Sequence, residues 1–184
     1  MTRNELSLRI HNDRVAQGKW EHKLTYNHWL MQAIGELSMA VHHYEKNKYA
    51  NIREYKRREL DPSLINQHLE FIANFDSNIR FTVESDLSYF AIRLLDLACT
   101  VGIDFDKSDV DLEDILTFKQ PNFHNKSFCE SAFFLTGILT DKQSNIKKKI
   151  VYALECLRIW TQSLSIDLYF FIDARMIRDN YYYL

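Results

Sequence analysis

Two acidic side chains in separate helical stretches of the sequence could together hold a divalent cation. Glu36 lies in GELSMAV, and Asp86 lies in ESDLSYFAIRLLDLACTVGID. Carboxylate oxygens are ligands that Mg²⁺ prefers in proteins, so a magnesium site is the chemistry to consider. The alternative is that each acid lies at the border of the core and pairs with a base such as Arg93 or Lys48.

The helical spacing around both acids places them beside an apolar face. At about 100° per residue, Glu36 shares its flank of the helix with His43, and Asp86 shares its flank with Arg93. If the two helices pack antiparallel, both acids can meet across one groove. His43 could then contact a phosphate or coordinate a transition metal, or it could be a half-exposed polar residue at the edge of the groove.

The elements that would position these acids are helices. Capping residues and apolar residues at three- and four-residue spacing predict helices over 2–18, 25–44, 61–75, 79–101, 127–140 and 145–179, with a break in the last near 163–166. Residues 45–61 are predicted to be a connector with a short helical piece, and 111–118 are a further short helical candidate. A turn is predicted near 76–78, and Gly102 is placed to end a helix. The sequence therefore predicts an all-α bundle of about six helices.

Composition bounds the fold class and the partners. The chain has 184 residues, enough for one globular domain, and only four Gly and two Pro, which favours long helices. Its net charge of −2 means that no overall field steers it toward nucleic acid or an anionic membrane. The three cysteines, Cys99, Cys129 and Cys156, are predicted to be reduced core thiols. Since neither a signal peptide nor a membrane-spanning segment is expected, the sequence predicts a soluble cytoplasmic protein.

Two segments resemble the metal-binding helices of a known superfamily. GELSMAVHHYEKNK is similar to the first such helix of MazG-like nucleotide pyrophosphohydrolases, an all-α superfamily related to the dimeric dUTPases, and DLSYFAIRLLDLACTVGID is similar to the second. The family pattern is E-x-x-E on one helix and E-x-x-D on the next. Glu36 matches the first glutamate and Asp86 the glutamate of the second helix, whereas Met39 and Tyr89 stand at the two remaining positions. Weaker similarity in HNDRVAQGKW and IDLYFFIDARM extends the resemblance over most of the chain.

The resemblance implies a fold, an activity and a set of site residues. The fold would be a single MazG-like helical domain over 1–184, with a degenerate second half from about residue 127, that assembles as a homodimer. The activity would be Mg²⁺-dependent hydrolysis of a nucleoside triphosphate to the monophosphate and pyrophosphate. Glu36 and Asp86 would hold Mg²⁺, and the expected substrate contacts are His43, Lys46, Lys48, Arg93 and Asp96. Arg93 could instead pair with Asp86 or Asp96.

The departures from the family pattern leave a second hypothesis open beside this leading one. The four carboxylates of that pattern balance the charge of two divalent cations, whereas Glu36 and Asp86 balance only one. Met39 offers a thioether that Mg²⁺ does not favour, and Tyr89 is a neutral phenol near neutral pH. The activity would then be weak or lost, and the chain would be a non-catalytic descendant that binds a nucleotide or a protein in the same groove.

Overall fold

The structure is a computed structural model that describes residues 1–22, 24–59, 67–107 and 121–182. Within these ranges the chain forms eight α-helices and one short 3₁₀ helix, and no β-strand. The α-helices are α1 (Arg3–Ala16), α2 (Tyr26–Glu45), α3 (Ile52–Glu59), α4 (Gln67–Asn78), α5 (Val83–Thr100), α6 (Phe128–Thr140), α7 (Ile146–Ser163) and α8 (Leu168–Tyr182), and the 3₁₀ helix covers Phe123–Asn125. The predicted all-α class is confirmed, with a larger number of helices than predicted.

Helices begin where the sequence offers a capping side chain. The Thr2 hydroxyl accepts a hydrogen bond from the N–H of Glu5, and the Glu5 carboxylate accepts one from the N–H of Thr2, as the predicted capping box requires. Thr25 and Thr82 cap α2 and α5 through their hydroxyl groups, and Ser127 caps α6 in a second capping box. The helix starts therefore follow from local hydrogen bonding.

The junction between α4 and α5 lies later than predicted. α4 continues through Asn78, so the turn predicted near 76–78 is wrong, and residues 79–82 make the turn. Phe81 in this turn has a φ of 62°. Thr82 then caps α5, so this helix begins after the predicted position.

Two features raise the number of helices from about six to eight. The connector over 45–61 contains α3, and residues 164–167 divide the last predicted helix into α7 and α8, close to the break predicted near 163–166. The helix start predicted at Asp61 and the short helical candidate over 111–118 lie outside the described residues.

α5 is the central helix of the bundle. Its side chains Leu87, Phe90 and Leu94 are fully buried, and the helix packs against α1, α2, α7 and α8. A smaller apolar cluster that includes Tyr55 and Phe171 joins α3, α4 and α8. Each fully buried large apolar side chain stabilises the fold by about 1.5–3 kcal/mol. In the part of the chain that the structure describes, every helix is too short or too polar to cross a lipid bilayer.

The three cysteines are free thiols in different environments. Cys156 is buried in the core, and Cys99 is partly buried. Cys129 is exposed in the first turn of α6, so the prediction of a core thiol is wrong for this residue.

A buried carboxylate on α5 fastens α1 to the centre of the bundle. The side chain of Asp96 is 2% exposed, and its oxygens lie 2.8 Å from Nδ1 of His11 and 2.5 Å from Nε of Arg14. The indole N–H of Trp20 donates to the same carboxylate at 3.0 Å. Because a buried charge is tolerated when it is paired and hydrogen-bonded, these three donors account for the position of Asp96.

Removing this carboxylate should destabilise the protein strongly. Asp96→Ala leaves the Arg14 guanidinium, whose side chain is 7% exposed, without its partner. We expect the free energy of unfolding, measured by urea denaturation, to fall by about 3–5 kcal/mol. The matched control is Asp173→Ala, which removes a 48% exposed carboxylate that pairs with Arg9 and should change stability by less than about 1 kcal/mol. Equal losses in the two variants would contradict the structural role of Asp96.

Candidate functional site

A polar face between α2 and α5 carries the two predicted acids. Nε of Arg93 on α5 donates a hydrogen bond to Glu36 on α2 at 2.8 Å. Another nitrogen of the same guanidinium donates to the side-chain oxygen of Gln32, one turn earlier on α2. The side chains of Glu36 and Arg93 are 16% and 17% exposed, so this ion pair is largely removed from water. Glu36 is therefore bound to a base across the boundary between two helices.

The second acid is bound to a histidine on the same face. Nδ1 of His43 on α2 lies 2.6 Å from Oδ2 of Asp86 on α5. His43 follows Glu36 along α2, whereas Asp86 precedes Arg93 along α5, so the two contacts form together because the helices run antiparallel. We call these four residues the paired-acid site. His43 is buried within it and is not the half-exposed edge residue that the sequence allowed.

The electrostatics of the paired-acid site couple its two carboxylates. Burial raises the pKa of Asp86 to about 6, while the hydrogen bond and charge of His43 act in the opposite direction. The negative charge of Glu36 also raises the pKa of Asp86, which places the two carboxylates within interaction range. Burial and the charge of Glu36 therefore oppose ionisation of Asp86, whereas His43 favours it.

The two positions that depart from the family pattern lie in different surroundings. The ring of Tyr89 on α5 packs between two guanidinium groups, with the Cζ atoms of Arg93 and Arg175 at 4.7 and 4.1 Å from the ring centroid. Arg175 comes from α8, where it also pairs with Asp179 at 3.2 Å. Met39 on α2 is 43% exposed. An aromatic ring with two stacked cations therefore stands where the family pattern has a carboxylate.

This donor set does not fit a magnesium centre of the family type. Arginine remains protonated in proteins, so Arg93 and Arg175 supply two permanent positive charges next to Glu36 and Asp86. A divalent cation added to the same face would be repelled by them. Across the described ranges, no group of three or more His, Cys, Asp or Glu side chains is placed to hold a metal ion. The charge of the two acids is instead balanced by the protein's own cations.

The predicted lysines lie at the end of this face. Lys46 and Lys48 follow α2 and are exposed. The carbonyl oxygen of Lys48 accepts a hydrogen bond from the N–H of Val83, the first residue of α5, at 3.0 Å. The Glu84 carboxylate accepts another from the N–H of Ala50 at 3.0 Å, which holds this segment against the start of α5. Both lysines therefore lie near His43 and Asp86.

Asp96, the remaining predicted substrate contact, has a different role. Its carboxylate is buried and occupied by His11, Arg14 and Trp20, as described above. A ligand would have to displace these donors to reach it. The structure therefore groups six of the seven predicted site residues along the α2–α5 face. The seventh, Asp96, instead holds α1 against α5.

A separate cavity lies on another side of α5. It has a volume of about 230 Å³, and Ala91 and Leu95 of α5 line it together with Leu6 of α1. On a helix these α5 positions point away from Asp86 and Arg93. The cavity is therefore not part of the paired-acid site.

Two residues that lie beside the paired-acid site were not predicted from the sequence. Arg175 lies in IDLYFFIDARM, but its spacing to Asp179 is that of an ordinary surface ion pair along one helix. Phe81, whose ring packs edge-on against His43 at 6.3 Å between centroids, was placed inside a predicted helix. Its left-handed backbone conformation leaves no signature in the sequence.

Comparison of the chain with protein-family models, with curated proteins and with solved structures gave no match.

Asp86→Asn should remove a pH dependence of stability. The folded-state pKa of Asp86 is about 6, above the unfolded value of about 3.9, so the folded protein binds a proton between these pH values that the unfolded protein releases. This contribution is fully present below about pH 4 and is lost as the pH rises through about 6. We expect the unfolding free energy of the wild type, relative to Asp86→Asn, to fall by about 2 kcal/mol between about pH 4 and pH 7.

Urea denaturation at a series of pH values measures this difference. Asp173→Asn is the control, because this half-exposed carboxylate lies outside the paired-acid site. The opposite result would be an unfolding free energy of the wild type that rises, relative to that of Asp86→Asn, as the pH increases over the same range. It would show that Asp86 ionises more easily in the folded protein than in the unfolded protein.

Proposed function

We propose that the chain binds a nucleotide through its phosphates beside the paired-acid site and does not hydrolyse it. The observation that carries this proposal is that Glu36 and Asp86 each have a partner at hydrogen-bond distance, Arg93 and His43. The resemblance of both segments to MazG-like helices supports a nucleotide as the ligand. Each of the two helices lacks one carboxylate of the family pattern, and on α2 Met39 stands at that position. The loss of these carboxylates favours a protein that does not hydrolyse the nucleotide.

Holding Mg²⁺ would require both carboxylates to give up these partners. A hydrogen bond that involves a charged group contributes about 1.5–3 kcal/mol. Arg93, whose side chain is 17% exposed, would be left largely buried without its carboxylate. Because an unpaired buried cation is strongly destabilising, metal binding would compete with the interactions that join α2 to α5.

The cations that could reach a phosphate lie at the end of the face. Lys46 and Lys48 are exposed and belong to a segment that hydrogen bonds hold against the start of α5. A lysine ammonium group acts on a phosphate as a compact point charge. These two lysines, close to His43, are therefore the proposed phosphate contacts.

The second candidate function is nucleoside triphosphate pyrophosphohydrolase activity with Mg²⁺ at Glu36 and Asp86. One observation favours it: Glu36 and Asp86 lie on the same face between α2 and α5, and the charge of Glu36 raises the pKa of Asp86. The geometry supports this candidate less well, since neither carboxylate is without a partner.

Assembly and location are proposed on other grounds. We propose a homodimer because the MazG-like resemblance implies one. A cytoplasmic location is supported by the three free thiols, since secreted proteins usually hold their cysteines in disulfides.

Nucleotide binding and hydrolysis can be measured separately. Purified protein is titrated calorimetrically with nucleoside and deoxynucleoside triphosphates in EDTA and in Mg²⁺ or Mn²⁺, and released pyrophosphate is measured in parallel. We expect binding that does not require a metal, and pyrophosphate release no greater than that of Glu36→Gln. The double variant Lys46→Ala and Lys48→Ala should bind at least about fivefold more weakly, because each lost charge contact contributes about 1 kcal/mol.

Lys142→Ala is the matched control, since Lys142 is an exposed lysine in the turn between α6 and α7. Metal-dependent pyrophosphate release that disappears in Glu36→Gln would replace the first candidate with the second. Failure of every nucleotide to bind would contradict both.

Restoring the family pattern should create a metal site. The triple variant Met39→Glu, Tyr89→Asp and Arg93→Gln supplies the two missing carboxylates and removes the cation that occupies Glu36. We expect it to bind Mn²⁺ at least about tenfold more tightly than Arg93→Gln alone, because four carboxylates balance two divalent cations. Titration followed by Mn²⁺ electron paramagnetic resonance measures the affinities. Equal affinities would mean that these side chains do not converge on one site.

A further inference from the structure

The turn between α4 and α5 holds an aromatic side chain in a conformation that such residues rarely adopt. Phe81 has a φ of 62°, in the left-handed region where a bulky residue is an outlier and glycine is the usual choice. Its side chain is 53% exposed, so the fold gains little apolar burial from it. Glycine would form the same turn without strain. The presence of phenylalanine therefore needs a reason other than folding.

The ring of Phe81 is nevertheless held in one orientation. The guanidinium carbon of Arg80 lies 4.6 Å from the ring centroid, and Arg80 is itself fixed by an ion pair with Asp76 at 2.9 Å. His43 of the paired-acid site packs edge-on against the same ring. These contacts position an aromatic ring beside the site while about half of it remains in solvent.

The ring and the two exposed lysines lie at the same end of α5. Val83, two residues after Phe81, donates its N–H to the carbonyl oxygen of Lys48 at 3.0 Å. Lys46 belongs to the same segment and is also exposed. An exposed aromatic ring at the same end of a helix as two exposed lysines is an arrangement in which a nucleotide can stack its base and place its phosphates.

We infer that Phe81 stacks on the base of the bound nucleotide while Lys46 and Lys48 contact its phosphates. This inference rests on the proposed nucleotide binding and adds the residue that distinguishes a nucleotide from inorganic phosphate. Stacking reads no hydrogen-bonding edge of the base, so the site would accept every base with modest preferences set by stacking strength.

Calorimetric titration with ATP and with inorganic tripolyphosphate tests the inference. Phe81→Leu keeps an apolar side chain but has no aromatic face. We expect this variant to bind ATP about tenfold more weakly than the wild type and to bind tripolyphosphate with unchanged affinity. A wild type that binds tripolyphosphate as tightly as ATP, or an ATP affinity unchanged in Phe81→Leu, would overturn the stacking role and leave phosphate binding intact.

Other outcomes separate this inference from the proposed function and from a protein-docking role. A wild type that binds neither ligand would overturn the proposed function, and the stacking role with it. If Phe81 were instead an anchor for a protein partner, the ratio of the ATP and tripolyphosphate affinities would be the same in Phe81→Leu and in the wild type. That result would overturn the inference.

The strain argument has its own test. Phe81→Gly should raise the thermal unfolding midpoint by about 2 °C while weakening ATP binding, because relief of backbone strain and loss of the ring act on different properties. The matched control is Ser165→Gly in the link between α7 and α8, where φ is 58°; it should raise the midpoint and leave ATP affinity unchanged. A midpoint several degrees lower in Phe81→Gly would show that the ring serves folding, contrary to the inference.

Discussion

The antiparallel packing of α2 on α5 is the constraint on which the rest of the structure depends. Two charged pairs cross this interface, Glu36 with Arg93 and His43 with Asp86, among buried apolar neighbours. Largely buried charges are tolerated when each has a partner, so a shift of one helix along the other would leave charges without partners. The same packing places the segment after α2 against the start of α5, and with it the exposed lysines.

Four residues of α5 form a polar stripe along the helix. Asp86, Tyr89, Arg93 and Asp96 recur at spacings of three and four residues, and each is bound by a side chain from another element. The partners are His43 and Glu36 from α2, Arg14 from α1 and Arg175 from α8. One helix thus contacts three others through paired charges and one cation–π contact. Permanent guanidinium charges stand beside the two acids of the α2–α5 face.

The sequence predicted what depends on local chemistry. Capping residues such as Thr2 and Thr25 and the three- and four-residue apolar spacing gave the all-α class and most helix starts. The antiparallel approach of Glu36 and Asp86 was a conditional expectation, and the structure places both on one face. Arg93 was one of the two bases considered as partners of these acids and binds Glu36, whereas His43 was not considered as the partner of Asp86. The left-handed conformation of Phe81 and the approach of Arg175 depend on tertiary packing, which no local pattern records.

The central claim is that the carboxylates of the α2–α5 face are neutralised by the protein's own side chains. A double-mutant cycle on Glu36→Gln and Arg93→Gln tests it most directly, with the free energy of unfolding measured by urea denaturation. A largely buried ion pair predicts a coupling energy of about 1–3 kcal/mol between the two substitutions. A coupling energy near zero would mean that Glu36 does not depend on Arg93, and the account of this face would be wrong.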